Sequence, residues 1–276
     1  MLPNLLSPIY IFLRKKTPWT WRPYVRGNYN QLRKFFCYGH TNIFSALDIE
    51  TTSFCNLKCS YCPNANIDRG RHFMEEKLFR KIIDELAEIN FKGRVSPHFY
   101  GEPLCDDRLP ELLTYARQKL PQADIVIHTN GILLTKEKFD QLKLTGISGL
   151  VVTCHLEVTK PQLKKLLDSL SSAEKKIIRV LDIDRTPLFN RGGLIEVDRP
   201  NYFKKCYYVS DEVAVTYQGN LVCTNDYLEK HVFGNLNKEK LMDIWHKPEF
   251  VKFRQNVRKG KFDLEICQKC SGNRND

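Results

Sequence analysis

Three cysteines at spacings of four and three, Cys55, Cys59 and Cys62, are the residues of this 276-residue chain best suited to chemistry. They lie in Glu50-Thr-Thr-Ser-Phe-Cys55-Asn-Leu-Lys-Cys59-Ser-Tyr-Cys62-Pro63, directly after an alternating, strand-like run from Ile43 to Glu50. Three thiolates on one short loop can hold three irons of a four-iron cluster. The fourth iron is then left open to bind a small molecule and pass it an electron. Zinc is the rival ligand: a structural zinc site takes four N or S ligands, usually in paired CxxC spacings. Here the spacing is CxxxCxxC and no further cysteine follows within forty residues. His72 is the fourth ligand zinc would need, across an irregular loop from Pro63 to Arg71.

A second set lies in the last quarter: Cys206, Cys223 and the pair Cys267-Gln-Lys-Cys270. Cys223 ends a hairpin made of Glu212–Tyr217 and Asn220–Cys223, turned at Gln218-Gly219-Asn220. The CxxC pair follows an amphipathic helix expected over Lys240–Arg258, whose Trp245 packs this region. Spacing alone admits zinc or a second iron–sulfur cluster. Cys37 and Cys105 read as structural.

Composition bounds the partners. A 42% hydrophobic content supports a proper core. No apolar run is long enough to span a bilayer and no signal peptide stands at the start, so a cytoplasmic protein is expected, its ten cysteines serving as ligands or free thiols. The net charge of +11 is spread over short groups such as Arg14-Lys15-Lys16, Lys164-Lys165 and Lys175-Lys176, which read as solvated faces. No nucleic-acid motif accompanies them.

The elements that must position the cysteines alternate. Strands are expected at Ile43–Glu50, Arg94–Tyr100, Ala123–His128, Gly149–His155 and Lys176–Asp182, with helices at Glu75–Asn90, Arg108–Leu120, Lys136–Leu144 and Pro161–Ser171. Such alternation gives a parallel sheet with outer helices. The chain is too short for eight such units, so the expected fold is α/β: an open partial (β/α)6-type barrel over residues 43–190, then a small α+β cluster-binding domain over 191–276. The cysteine loop, Tyr100-Gly101-Glu102-Pro103, His128-Thr129-Asn130-Gly131 and Thr153-Cys154-His155 all fall at strand C-termini, where the chemistry of such sheets gathers. His128 and His155 could line that mouth or serve as hydrogen-bonded structural residues. Residues 1–42 are aromatic and basic without clear periodicity. They read as an extension packing across the barrel or its open edge, with membrane-surface contact through Ile9–Leu13 and Trp19–Trp21 as the weaker reading.

With these motifs the chain resembles the radical S-adenosylmethionine (SAM) superfamily across residues 43–276. Within it, the pattern is that of cyclitol-dehydrogenase members whose barrel is followed by a twitch domain, a shortened SPASM domain with one auxiliary [4Fe–4S] cluster. The resemblance rests on Cys55–Asn64 with Tyr61 before the third cysteine, Gly93–Leu104, Thr129-Asn130-Gly131, Val152-Thr153 with His155, Asn190-Arg191-Gly192-Gly193, Asp243–His246, and the order Cys206, Cys223, Cys267, Cys270. It implies that Cys55, Cys59 and Cys62 hold the SAM-binding cluster. SAM would be bound by Tyr61, Gly101, Glu102, Pro103, Thr129 and Asn130, with Gly101-Glu102-Pro103 at the methionyl amine. The later four cysteines would hold the auxiliary cluster, and Arg191 and Asp226 would face the substrate.

The implied reaction is removal of a hydrogen atom from an alcohol carbon of a small polyol, cyclitol or sugar by a 5′-deoxyadenosyl radical. Oxidation to a ketone follows, with one electron passed to the auxiliary cluster. A one-electron reductant such as flavodoxin or ferredoxin would feed the first cluster. Arginine stays protonated in proteins, so Arg191 would stabilise an alkoxide while Asp226 or water takes the proton. Two positions depart from the resemblance: Thr224-Asn225 replaces an aromatic–acidic pair, and Cys154 replaces a glutamine. A thiol at Cys154 would allow a second outcome, hydrogen-atom return and redox-neutral epimerisation, set against the plainer reading of a small buried hydrophobe. Peptide modification by a maturase is the reading from another class. Only four C-terminal cysteines, and a first segment unlike a winged helix, weigh against it.

Overall fold

The computed structural model describes residue 16 and residues 22–154, 159–183, 188–197 and 204–272. Ile9–Leu13, Trp19–Trp21 and His155 lie outside these residues.

One sheet of eight strands organises the chain. The strands are β1 (Ala46–Ile49), β2 (Arg94–Ser96), β3 (Asp124–Thr129), β4 (Gly149–Cys154), β5 (Ile178–Asp182), β6 (Glu212–Val215), β7 (Asn220–Cys223) and β8 (Gly234–Asn235), in spatial order β5-β4-β3-β2-β1-β6-β7-β8. From β5 to β6 every pairing is parallel, and β7 and β8 add an antiparallel flap. The hairpin expected at Glu212–Cys223 is present. Its first arm also does something the sequence did not reveal: β6 pairs in parallel with β1, Ala46 opposite Glu212, and so completes six parallel strands of an open barrel.

Strand alternation sorts the side chains. Leu47, Ile49, Val95, Ile125, Ile127, Leu150, Val152, Val213 and Val215 join the helices in a single apolar core. The helix Glu76–Glu88 buries Leu78, Phe79, Ile82, Ile83 and Leu86 at helical spacing against it. The opposite parity, Asp48, Arg94, Ser96, His128, Thr153 and Glu212, turns to the barrel lumen. Cys154 shares the parity of Leu150 and Val152, is only 7% exposed, and belongs to the apolar core. Of the two readings of Cys154 the buried one fits, and its catalytic role is corrected by the two-residue period of the strand: the neighbour that faces the lumen is Thr153.

Three boundaries differ from the sequence reading for local reasons. The helix expected over Pro161–Ser171 runs Thr159–Ser169, and Ser171 caps a separate turn, Ser172–Lys175, through a capping box with Glu174. The helix expected over Lys240–Arg258 is two, Leu241–His246 and Pro248–Arg258. Pro248 forces Lys247 to extended backbone (ψ 130°) and opens the second helix at its first turn. Residues 22–38, read as aperiodic, form a helix, Arg22–Tyr38. Trp245 ties the second region to the first: its ring packs on Phe44 at 5.3 Å and its Nε1 donates to the Asn42 carbonyl at 3.2 Å. Among the described residues no helix is long and apolar enough to cross a membrane.

Candidate active site between two cysteine centres

The first cysteine loop hangs from β1. Past Ile49, Glu50 is fully buried and receives both Nη atoms of Arg69 at 2.7 Å, while Arg69 also reaches Glu229 at 3.2 Å. This bidentate pair fastens the far side of the loop to the barrel. Asn64 donates to the Tyr100 carbonyl at 2.8 Å, and Tyr227 donates to Asn64 Oδ1 and to the Ile67 carbonyl. Neither Arg69 nor Tyr227 stood out in the sequence, because their roles depend on partners 19 to 163 residues away. His72 stacks on Tyr217 at 5.0 Å, a packing role rather than that of a fourth ligand.

The Gly101-Glu102-Pro103 turn lies against this loop. A β-carbon on Gly101 would stand 1.9 Å from the Thr52 carbonyl oxygen, so only glycine fits. Glu102 is buried and its carboxylate is fully used inside the protein. It accepts from Thr129 Oγ1 (2.7 Å), Asn130 N (2.8 Å) and Leu104 N (3.1 Å). Burial pushes its pKa up, and these three donors oppose that shift. Glu102 thus binds the end of β3 to the end of β2; the Glu102 and Pro103 carbonyls accept from Cys105 N (3.0 Å) and Asp106 N (3.1 Å), which leaves the Gly101 carbonyl as the turn's acceptor for an ammonium group. Asn130 closes the ring by donating to Asn56 at 2.8 Å, beside Cys55. In Gly101→Ala the turn must move off Thr52. Stability should fall by about 1–3 kcal/mol, and SAM affinity by at least about tenfold, readable by thermal melts and isothermal titration.

The second set gathers in one apolar cavity lined by Cys206, Cys223, Cys267 and Cys270 with Phe233, Phe253 and Phe262. Burial pushes Cys267 and Cys270 up to about 12, and Cys206 and Cys223 are raised as well. In the first loop Cys55 is pushed up to about 12, and Cys59 and Cys62 are raised. Such thiols are poor free nucleophiles and need a bound cation to become thiolates.

Backbone amides point at the sulfurs: Leu57 at Cys55, Asn64 at Cys62, Tyr208 and Val209 at Cys206, Asn225 at Cys223, Gly192 at Cys270. Amides trained on cysteine sulfur are the means by which a protein tunes an iron–sulfur cluster, and both cysteine sets fit such a group. Among the described residues, no three His, Cys, Asp or Glu side chains are grouped to hold a single metal ion. A tetrahedral zinc would draw its sulfurs to about 3.8 Å of one another.

Arg191 lies between the two sets. Its charge lowers the pKa of both Cys62 and Cys270, its guanidinium sits 5.6 Å over the Tyr100 ring and 6.0 Å over Phe189, and Nη1 meets Asn225 Oδ1 at 3.3 Å. Its backbone is left-handed (φ 50°), followed by Gly192 (69°) and Gly193 (87°), a bend that turns the Gly192 amide to Cys270. Asp226 is buried, and both its oxygens accept backbone amides, from Lys230 (3.1 Å) and His231 (2.8 Å). It shapes the loop beyond Cys223.

The barrel lumen is charged. Glu212 receives Arg26 and Arg94, and Arg94 also pairs with Asp48 at 3.3 Å. Glu212, between two guanidiniums, is held well below the usual range, whereas burial pushes Asp48 up. His98, overlooked in the sequence, stacks on His128 at 4.4 Å. His128 Nε2 lies 3.1 Å from Arg94 Nη1. A guanidinium only donates, so Nε2 carries no proton and the ring is neutral. Burial lowers His128 to about 4 and takes His98 well below its usual value.

The pH consequence follows from linkage. The unfolded imidazole takes a proton near pH 6.5 and the native one only near 4, so stability falls as pH drops through that window. His128 contributes up to about 3 kcal/mol to the fall. His128→Gln should show a shallower loss of urea-unfolding stability between pH 6.5 and 4 than the parent chain.

The comparisons with known proteins agree with this geometry. The family model for the radical SAM superfamily matches residues 49–185, and that for an iron-sulfur cluster-binding domain, SPASM, matches residues 206–271. The S-adenosyl-L-methionine-dependent 2-deoxy-scyllo-inosamine dehydrogenase of Niallia circulans is 33% identical over 235 residues, covering 83% of this chain and 93% of that protein. The crystal structure of BtrN in complex with AdoMet and 2-DOIA superposes with a TM-score of 0.78 at 32% identity, over 84% of this chain and 94% of that one. The anSMEcpe structure with bound AdoMet, at 15% identity and a TM-score of 0.54 over 82% of this chain and 88% of that one, shares the fold. The chain therefore belongs to the radical SAM superfamily, an oxidoreductase whose barrel is followed by a SPASM-type domain and whose cofactors are SAM and [4Fe–4S] clusters.

Proposed function

We propose that the chain oxidises one alcohol carbon of a cyclitol or similar small polyol to a ketone. What carries the polyol reading is the lumen: Ser96 Oγ and His98 Nδ1 are buried without a hydrogen-bond partner among the described residues. Buried polar atoms left unmatched are costly, and the hydroxyls of a polyol would satisfy them. The relative's name, a 2-deoxy-scyllo-inosamine dehydrogenase, supports a cyclitol.

When bound, SAM with the first cluster supplies a 5′-deoxyadenosyl radical that removes the carbinol hydrogen, and the auxiliary cluster takes up the electron that ketone formation releases. Cys55, Cys59 and Cys62 would hold the first cluster, and Cys206, Cys223, Cys267 and Cys270 the second. Tyr61, Gly101, Glu102, Pro103, Thr129 and Asn130 form the SAM cradle, in which Glu102 acts by fixing the strand ends. Arg191 stabilises the developing alkoxide. Asp226 holds its loop through two amides and His128 Nε2 is engaged by Arg94, so water is the better carrier of the hydroxyl proton. Residues 43–190 would initiate the radical and 191–276 collect the electron, with flavodoxin or ferredoxin as the outside reductant.

The place of the Cys154 thiol in the helix-facing core weighs against epimerisation through it. The test is anaerobic turnover with SAM and carbinol-deuterated cyclitols. Deuterium in 5′-deoxyadenosine together with one ketone per SAM consumed is expected. An inverted, solvent-labelled alcohol, or label only from an added peptide, would sink the reading.

A further inference from the structure

The helix Arg22–Tyr38 is amphipathic the wrong way round. Arg26 binds Glu212, Asn30 donates to Asp211 at 3.2 Å, and Lys34, only 2% exposed, binds Asp211 at 2.6 Å and the Ser210 carbonyl at 3.0 Å. Gly27 abuts the Tyr207 ring on the same side. The polar face is thus spent on the protein. The opposite face carries Leu32, Phe35 and Phe36, at i, i+3 and i+4, exposed by 52%, 56% and 45%. A soluble surface helix has the reverse arrangement, and ion pairs this deep hold the helix in the orientation that displays its apolar face.

The surrounding composition says what covers that face. The first 42 residues hold seven Lys and Arg, nine aromatic residues and no Asp or Glu. They therefore supply seven of the chain's eleven surplus positive charges, leaving four over the other 234 residues. Basic side chains with Trp, Tyr and Phe and no carboxylate make up a surface that settles in the headgroup region of an anionic bilayer. We infer that the helix Arg22–Tyr38 presents a docking surface for an anionic lipid membrane, with Leu32, Phe35 and Phe36 entering the interface and basic residues outside the buried ion pairs, such as the exposed Lys16, meeting the headgroups. An acidic redox partner fits less well. The helix is anchored at Asp211 and Glu212, at the N-terminal end of β6, whereas the cysteine loop follows the C-terminal end of β1, the neighbour with which β6 runs parallel.

The test uses the full chain with both clusters reconstituted anaerobically. Sedimentation with vesicles of phosphatidylcholine is compared with 3:1 phosphatidylcholine–phosphatidylglycerol vesicles. Binding only to the anionic vesicles, weakened by salt, is expected. The triple variant Leu32→Ser, Phe35→Ser, Phe36→Ser should bind at least about tenfold more weakly and still cleave SAM at the parent rate. No sedimentation with either vesicle, or equal binding by the triple variant, overturns the inference. So does a dimer in solution that this variant alone dissolves without any vesicle binding, which would make the face a self-interface. A variant that slows turnover with flavodoxin but not with dithionite, again without vesicle binding, would assign the face to the electron donor.

Discussion

A Cys223→Ala enzyme should still cleave SAM to 5′-deoxyadenosine in the presence of substrate, at a rate close to that of the parent, and yet form almost no ketone. The drop in ketone should reach about a thousandfold, equivalent to about 4 kcal/mol on the barrier. Iron should fall from about eight to about four per chain. The argument is one of separation. Cys223 lines the cavity with Cys206, Cys267 and Cys270, whereas the Glu102–Thr129–Asn130 ring that frames the first loop is built from other residues. Losing the sulfur at the end of β7 removes a ligand and leaves the strand pairing Val213 opposite Cys223 intact. What is lost is the place for the second electron, so the carbon radical is quenched by an electron from the outside reductant and a proton from solvent, and label gathers in 5′-deoxyadenosine without ketone. Normal ketone yield from this variant would show that the second centre is structural.

That separation was partly legible in the chain itself. Cys55, Cys59 and Cys62 announce their chemistry by spacing, and the β/α alternation announces where strand ends converge. Lys136–Leu144 forms the expected helix residue for residue because Thr135 caps it. What could not be read was whatever depends on distant partners. Glu212 reads as the start of a hairpin and is also the centre of a buried ion network with Arg26 and Arg94. The helix Arg22–Tyr38 escaped because periodicity arguments look for a buried apolar face, and here the buried face is Arg26, Asn30 and Lys34. Strand parity decides between the two readings of Cys154, putting the thiol in the core. His98 lies past the end of β2, where no periodicity exists to mark it, and only the stack on His128 reveals it.

Arg191 carries the second large effect, and the way its variants diverge is informative. Arg191→Ala should lower the rate of substrate oxidation by about 10²–10³, with a smaller change in KM. Its charge serves an alkoxide that forms only as the hydroxyl proton leaves. Arg191→Lys should recover little, because a lysine ammonium cannot stack on Tyr100 and Phe189 while meeting Asn225. Removing the cation beside Cys270 also strips positive charge from the second centre, so its reduction potential should fall, a shift that electron paramagnetic resonance titration reads without any turnover. Arg191→Gly is the discriminating variant. The backbone at 191 is already left-handed, and a non-glycine residue there costs about 1 kcal/mol. Glycine should therefore raise the unfolding free energy by about that amount while oxidation collapses as in the alanine variant. A residue kept for structure would lose stability and activity together, whereas one kept for chemistry loses activity as the fold gains.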